Sequence, residues 1–278
     1  MKKEKSVKLY LSYVRIFTQN YPNKDIIYLI TKNKDVFVIE WLDDSKACLD
    51  TAAVMIEEVE QLAQQSIKDE SAIPYLKVKI KNCLENCRSP LDYVANYIFD
   101  TYCRNNYTKK ELHKFGKPYF PIRKTDSLFD ICIRDNFRNL LNSRSDIVDI
   151  LKSCQQFKNS TWLQDLTSLI NENKHRNLTK QNDETHTTIR DLNFTHGGVE
   201  IGGISNITFV TSGHTTPIKY GGGNLDFSGE TSYPFVNKMD TDVKRYFFFR
   251  DLGRPVTPTL KEILEGTRDV IGKLEKTI

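Results

Sequence analysis

The sequence lacks any apolar run long enough to cross a membrane. Its longest uninterrupted runs, such as 26–30 and 36–39, fall far short of the roughly 20 residues that a membrane helix needs. The opening Met-Lys-Lys-Glu-Lys leads into no apolar core of the kind that secretion signals carry. We therefore expect a cytoplasmic protein with no membrane partner.

Motifs for metals and nucleotides are also missing. The six cysteines are scattered mainly among helix-patterned segments, which predicts reduced, partly buried thiols rather than a disulfide framework. Cys83 and Cys87 stand one helical turn apart, but no second pair of Cys or His follows at the spacing of zinc ligands. The run Gly221-Gly-Gly-Asn224 lacks the Lys-Ser/Thr of a phosphate-binding loop. The sequence thus predicts no metal and no cofactor.

The patterning that is present divides the chain into three regions, 1–44, 45–181 and 182–278. In the first, two short apolar runs around Lys32-Asn33-Lys34 predict a β-hairpin over 25–42. The second shows about five helical patterns, beginning with 45–65 and a long stripe from Pro74 to Tyr102. In the third, nine of the 13 glycines lie between Gly197 and Gly229 and the apolar residues alternate, and a final helical pattern begins at about Pro258. We expect an α+β protein, in which a helical bundle precedes a small antiparallel sheet and a C-terminal helix packs back on the bundle.

A proline interrupts the long second helix. Pro90 removes a backbone hydrogen bond, so we expect a kink there or a restart of the helix. Ser89 would cap the restarted helix and Asp92 would occupy its third position.

Positive charge is concentrated between Cys103 and Arg144. This stretch has ten Lys or Arg against four acids, although the whole chain carries only +4. Aromatic residues are interleaved with the cations, as on surfaces that contact RNA phosphates and stack bases. Its candidate nucleic-acid-binding residues are Lys109, Lys110, Arg123 and Lys124. The alternative is a solvated loop whose aromatic side chains pack inward.

Three short segments follow one another along the helical region. They are Cys87-Arg88-Ser89-Pro90-Leu91-Asp92-Tyr93, then Phe120-Pro121-Ile122, then 169–176, which reads Leu-Ile-Asn-Glu-Asn-Lys-His-Arg. In order and separation they resemble a group of bacterial proteins with Arg-Ser-x-Leu-Asp-His, Phe-Pro-Ile and Asn-x-x-Asp-Lys-His-Arg segments. That group resembles the HEPN superfamily, helical bundles found in bacterial toxin and antiphage systems.

The resemblance implies a metal-independent ribonuclease. Such enzymes use an Arg to stabilise the phosphate and a His, separated from it by four to six residues, to move a proton. Arg88 matches the arginine, but Tyr93 stands in the place of the histidine. A tyrosine, with an ordinary pKa of about 10, is a poor base at neutral pH. His175 would substitute for it if the two helices pack together, with Arg176 as a second phosphate ligand.

The same residues have a structural interpretation. An ion pair of Arg88 and Asp92, one turn apart, would lock helices together, and cations at 174–176 would offset a helix dipole. In either case we expect Arg88, Asp92, His175 and Arg176 to cluster. Asp92 would accept from His175 or Arg176, which leaves Arg88 as the group most free to meet a phosphate.

Two functions remain open from the sequence. The first is a bacterial defence or toxin-type protein that binds RNA and, if the site is complete, cleaves it. The second is a non-catalytic interaction or sensor subunit of a defence complex, in which the glycine-rich β region is the recognition surface. The expected partners are RNA, and either a second copy of the chain or another protein of the same system.

Overall fold

The computed structural model describes most of the chain. The described residues are 24–115, 118–175, 181–196, 198–212, 218–220, 223–225 and 236–278. The chain divides into two compact units, Met1–Asp44 and Ser45–Ile278. Among the described helices, none combines the length and the apolar character needed to span a membrane.

The first helix, α1, runs from Lys24 to Gln65. The predicted β-hairpin over 25–42 is therefore wrong. Branched residues such as Ile and Val cost a helix only about 0.5 kcal/mol each. Extending a helix that already exists requires no new nucleus, so the helical pattern after Ser45 continues upstream through the two apolar runs.

The second helix, α2, runs from Ala72 to Ile98 and carries the core stripe that its sequence predicts. The buried members of that stripe are Leu76, Ile80, Cys83, Leu84, Cys87, Leu91, Val94, Ala95 and Ile98. Spacings of three and four residues place them on one face, which packs against the last helix and against α7, described below.

Pro90 lies inside α2 without ending it, so the predicted restart at Ser89 is wrong. The Ser89 hydroxyl instead donates to the carbonyl oxygen of Glu85, at 2.9 Å. Pro90 is itself buried in the stripe, and burial of its ring offsets the backbone hydrogen bond that it cannot donate. Asp92 therefore lies mid-helix and is available to side chains one turn away.

Shorter helical elements lie between α2 and the β region. A π-helical turn, Phe99–Cys103, and a 3₁₀ turn, Arg104–Asn106, follow α2. Five helices come next, with a 3₁₀ turn at Gln156–Lys158 before the last: α3 (Lys109–Phe115), α4 (Asp126–Asn136), α5 (Leu140–Ser143), α6 (Ser145–Ser153) and α7 (Trp162–His175). α4 and α5 are separate helices, because Asn139 between them adopts a left-handed conformation with φ of 68°.

A long central strand organises the β region. The strands of its main sheet are β1 (Gln181–His196), β2 (Val199–Ile204), β3 (Ile207–Ser212), β6 (Val236–Phe249) and β7 (Arg254–Pro255). β6 lies antiparallel to β1 along nearly its full length, whereas β2 and β3 pair in succession with the other side of β1. β7 pairs with the end of β6. Strands β4 (Ile218–Tyr220) and β5 (Gly223–Leu225) form a separate hairpin.

A buried guanidinium joins this sheet to the helices. Arg245 on β6 donates from Nε to Asp183 Oδ2 at 2.9 Å and from Nη1 to the Ser66 carbonyl oxygen at 2.7 Å. Ser66 directly follows α1, where helix carbonyls lack intrahelical partners. The Gln64 side chain donates in return to the carbonyl oxygen of Arg245. The end of α1 is thereby fixed to β1 and β6.

The last helix, α8, runs from Val256 to Thr277 and closes the bundle. Its predicted apolar face is buried: Leu260, Ile263, Leu264, Val270, Ile271 and Leu274. The helix packs against α2, α6 and α7, and three ion pairs join it to α1: Lys46–Glu275, Arg268–Asp50 and Lys261–Glu60. The predicted α+β fold, with a C-terminal helix packed on the bundle, is confirmed.

We expect Gly266 on α8 to be intolerant of any side chain. A Cβ atom there would overlap the indole ring of Trp162, at the start of α7. We predict that Gly266→Ala lowers the free energy of unfolding by about 1–3 kcal/mol through overpacking, measured by urea denaturation. Gly272 on the same helix is the matched control, because a Cβ there meets no atom within 4 Å. Gly272→Ala should stabilise by up to about 1 kcal/mol through helix propensity, and equal effects of the two variants would contradict the packing argument.

Candidate functional site

Arg88 and Asp92 lie one turn apart at the edge of the buried stripe of α2. Their side chains are 15% and 23% exposed. Cys87 and Leu91, which precede them in the chain, are fully buried and fix the rotation of the helix. The two charged groups are therefore held at the border between the core and solvent.

The pair is bidentate. Arg88 donates from Nε to Asp92 Oδ2 at 3.0 Å and from Nη2 to Asp92 Oδ1 at 2.9 Å. Two parallel charge-assisted bonds fix the plane of the guanidinium as well as its position. The prediction that Arg88 is the group most free to meet a phosphate is therefore wrong, because its nearest acid lies on its own helix at i+4.

Asp92 also joins two of the three sequence segments. Its Oδ1 accepts a hydrogen bond from the backbone N–H of Phe120, at 3.0 Å. Phe120 opens the Phe-Pro-Ile segment, and its ring is buried. A carboxylate that receives both a guanidinium and a backbone amide ties that segment to α2.

A buried glutamine holds the other end of the same segment. Gln155, just after α6, donates from Nε2 to the Pro121 carbonyl oxygen at 2.8 Å and accepts from the Arg123 N–H at 2.9 Å. The Gln155 side chain has no solvent exposure and also bonds the Leu151 carbonyl oxygen. We call the main chain of 120–123, held between Asp92 and Gln155, the clamped segment.

The third sequence segment is described only in part. α7 ends at His175, but the His175 side chain and the whole of Arg176 lie outside the described residues. Of the four residues predicted to cluster, Arg88 and Asp92 are in contact. That His175 and Arg176 join them stays a prediction. Tyr93, at the position of the expected histidine, is partly exposed.

The cations of the basic stretch fall into two groups. Four arginines are neutralised by nearby acids: Arg104 by Asp100, Arg134 by Asp135, Arg138 by Glu111 and Arg144 by Asp146. Lys109, Lys110 and Lys124 are exposed and form no ion pair with any residue that the structure describes. Arg123, the fourth predicted contact, is half-buried, and its Nη1 bonds the Ile122 carbonyl oxygen. Of the four predicted contacts, the three lysines are the ones that are exposed and free of ion pairs to described residues.

Most aromatic residues of the stretch pack inward. Tyr107, Phe120, Phe129 and Phe137 are buried, and Phe99 contacts both Tyr107 and Phe137. Tyr119 is the exception, since 74% of its surface is exposed. It lies immediately before the clamped segment, and Lys124 lies immediately after it. The inward-packing alternative is therefore correct for these four rings, and a single described ring is left on the surface.

A capping box fixes the helix that carries Lys109 and Lys110. The Thr108 N–H donates to Glu111 Oε2 at 2.8 Å, and the Glu111 N–H donates to Thr108 Oγ1 at 3.3 Å. Arg138 donates to the other oxygen of Glu111 at 2.7 Å. The bond from the Thr108 N–H, followed by that from Arg138, lowers the pKa of Glu111 to about 2.

Two of the buried cysteines are poor nucleophiles at neutral pH. All six are free thiols, and five are buried. Burial raises the pKa of Cys103 and of Cys154 to about 12, which keeps both protonated at neutral pH. In the described part of the chain, no three His, Cys, Asp or Glu side chains are grouped so that they could hold a metal ion.

Comparison with protein-family models, with curated proteins and with solved structures finds no match to the chain. The resemblance to HEPN proteins consequently stays a prediction.

We predict that Asp92→Ala lowers the free energy of unfolding by about 2–3 kcal/mol. The change leaves the Arg88 guanidinium and the Phe120 N–H without their shared acceptor. The matched control is Asp100→Ala, which breaks another i,i+4 pair whose side chains, unlike those of Arg88 and Asp92, are more than half exposed. That control should cost less than about 0.5 kcal/mol. Equal midpoints for the two variants in urea would show that the Asp92 contacts contribute nothing to stability.

We predict a pH-dependent contribution from Glu111. Its pKa is depressed from an ordinary 4.5 to about 2, so its stabilising effect is fully present above pH 4.5 and is lost as the pH falls toward 2. The difference in melting temperature between wild type and Glu111→Gln should therefore shrink over that interval. Glu265→Gln, an exposed glutamate of α8 with no ion pair to a described residue, is the control. A difference that stays constant down to pH 2 would contradict the assignment.

Proposed function

We propose that the protein binds RNA without cleaving it, in a bacterial defence or toxin-type setting. One observation carries the proposal. Three exposed lysines, which form no ion pair to described residues, lie in the same stretch as an exposed tyrosine ring. The backbone that carries these side chains is fixed at the clamped segment and at the capping box. Lysines contact phosphates, and a tyrosine ring stacks on bases of any identity.

Rigidity supports binding by these groups. The clamped segment displays Tyr119 and Lys124 from its two ends, and the capping box displays Lys109 and Lys110 from the first turn of α3. Side chains on a fixed backbone lose less conformational freedom when a ligand is bound. The fit to RNA rests on charge and stacking, which do not select a base sequence.

The contacts of Arg88 oppose a role in cleavage. Its guanidinium already makes two bonds to Asp92, so stabilising a transition-state phosphate would require breaking a bidentate pair. Tyr93 stands where the ribonuclease pattern has its base, and an ordinary tyrosine hydroxyl holds its proton at neutral pH. These residues favour a role in holding the clamped segment.

The test is an RNA-binding titration over a range of salt concentrations. We predict that the triple variant Lys109→Gln, Lys110→Gln, Lys124→Gln flattens the slope of log K against log salt by about 2, because each phosphate contact on a single strand contributes roughly 0.7. The matched control replaces Lys46, Lys261 and Lys273, which lie in ion pairs on α1 and α8, and changes the net charge equally.

The outcomes of this titration are distinct. An unchanged slope in the first triple variant, or an equal change in the control, would assign the binding to net charge instead. No binding by wild type at low salt would reject the proposal. RNA recovered intact after incubation with chelator is expected, whereas RNA fragments that disappear in Arg88→Ala would restore the catalytic interpretation.

A second candidate function is a non-catalytic interaction subunit that uses the β region. It is favoured by four exposed aliphatic side chains on β2 and β3: Val199, Ile201, Ile207 and Val210. Exposed apolar residues on adjacent elements are typical of protein contact surfaces.

A further inference from the structure

A cleft of about 330 Å³ opens among α4, α5 and α6, within the C-terminal half of the basic stretch. Three of the side chains that line it are buried and apolar: Ile133, Phe137 and Val148. Its volume is at the lower end of the range for small-molecule sites, about 300–1,000 Å³. The cleft therefore has room for a ligand of one ring system.

Two asparagines supply hydrogen-bonding groups to the cleft. Asn142 donates from Nδ2 to Asn139 Oδ1 at 3.3 Å. The carbonyl oxygen of Asn139 accepts from both the backbone N–H and the hydroxyl of Ser143, which fixes its left-handed backbone. The bond between the two amides leaves Asn139 Nδ2 and Asn142 Oδ1 without a partner among the described residues. A donor and an acceptor thus lie side by side next to the apolar surface.

The arginines of the cleft stand on a fixed wall. The Tyr107 hydroxyl donates to the Asp135 carbonyl oxygen at 3.0 Å and accepts from the Arg138 N–H at 3.2 Å. The guanidinium carbon of Arg138 lies 4.5 Å from the centre of the Tyr107 ring. Arg134 and Arg138 each use one nitrogen in an ion pair, so further N–H groups of each remain for a ligand.

The cleft adjoins the exposed lysines of α3. Arg138, which lines the cleft, donates to Glu111 at 2.7 Å, and Glu111 follows Lys110 directly in the chain. The Asn106 side chain, just before α3, donates to the Arg138 carbonyl oxygen at 3.2 Å. These two bonds hold the first turn of α3, with Lys109 and Lys110, beside the cleft.

We propose that the cleft binds one nucleobase of an RNA strand whose phosphates contact Lys109 and Lys110. A nucleobase has two apolar faces and an edge of hydrogen-bond donors and acceptors. The buried apolar side chains match the faces, and the paired amides of Asn139 and Asn142 match the edge. An unstacked base of single-stranded RNA also stacks on guanidinium planes, which the cleft supplies.

A base satisfies these groups better than other small ligands do. A purely apolar ligand would displace water from the two amides without replacing its hydrogen bonds. Inorganic phosphate would leave the apolar side chains uncovered, and the guanidinium groups that it would need already bind Asp135 and Glu111. The inference rests on the proposed function and adds base contacts to it, which lysines alone cannot supply.

The test compares two RNAs of equal length and charge in a binding titration. One is a single strand of mixed sequence, and the other is the same strand built from abasic ribose phosphates. Asn139→Gly removes one amide and keeps the left-handed backbone, since glycine adopts positive φ freely. We predict that it raises Kd about three- to tenfold for the RNA with bases and leaves Kd for the abasic strand unchanged.

Asn159→Gly is the matched control. Asn159 also has a left-handed backbone, with φ of 63°, but it does not line the cleft. Its replacement should leave Kd for both strands unchanged. An unchanged Kd for the RNA with bases in Asn139→Gly, or an equal rise for the two strands, would overturn the proposal.

Failure of the proposed function has a different signature, because wild type then binds neither strand at low salt. The cleft is decided in that case by titration with the four nucleoside monophosphates, followed through the side-chain amide NMR signals of Asn139 and Asn142. Shifts of these signals would assign the base site to a free nucleotide instead of RNA. Signals that none of the four monophosphates moves would overturn the base site itself.

Discussion

The attachment of the sheet to the helices depends on the buried hydrogen bonds of Arg245. Its guanidinium is almost fully buried and binds Asp183 on the neighbouring strand. It also donates to the carbonyl oxygen of Ser66, directly after the end of α1. A buried cation without these acceptors would be strongly destabilising, so β1, β6 and the end of α1 must all be in place together. The Phe247 ring, 5.5 Å from the guanidinium carbon, covers one face of the charge. The bundle and the sheet therefore share a buried polar junction.

Helices with strong periodicity could be predicted from the sequence, and contacts between distant segments could not. The stripes of α2 and α8 follow from spacing, because burial of one helical face leaves a regular pattern. The spacing of Arg88 and Asp92 likewise predicts their ion pair as one of two interpretations. The bond from Phe120 to Asp92 spans 28 residues, and Gln155 lies 34 residues from Pro121, so no local signal marks either contact. Arg245 is hidden in the same way within an aromatic strand.

The errors of prediction have related causes. Short apolar runs such as 26–30 and 36–39 are compatible with a strand as well as with a helix. The helix that follows them extends through both runs, so they are helical. A proline breaks a helix less reliably where its ring can be buried, and in α2 the Pro90 ring is part of the core. The basic stretch has the composition of a nucleic-acid surface, but acids close in space neutralise its arginines and burial removes four of its rings. The composition of a segment shows which side chains it contains, whereas the fold determines which of them are exposed at the surface.

The place of α8 in the chain has a consequence for the order of folding. This helix buries its apolar face against α2, α6 and α7, yet it is made after the whole β region. At synthesis rates of about 5–20 residues per second, the roughly 100 residues from the end of α7 to the end of α8 take about 5–20 seconds to appear. Throughout that interval the stripe of α2 lacks the cover that α8 provides in the folded protein. The apolar faces that α8 covers therefore stay without this partner until the helix has been synthesised, so the bundle closes only after translation of the β region.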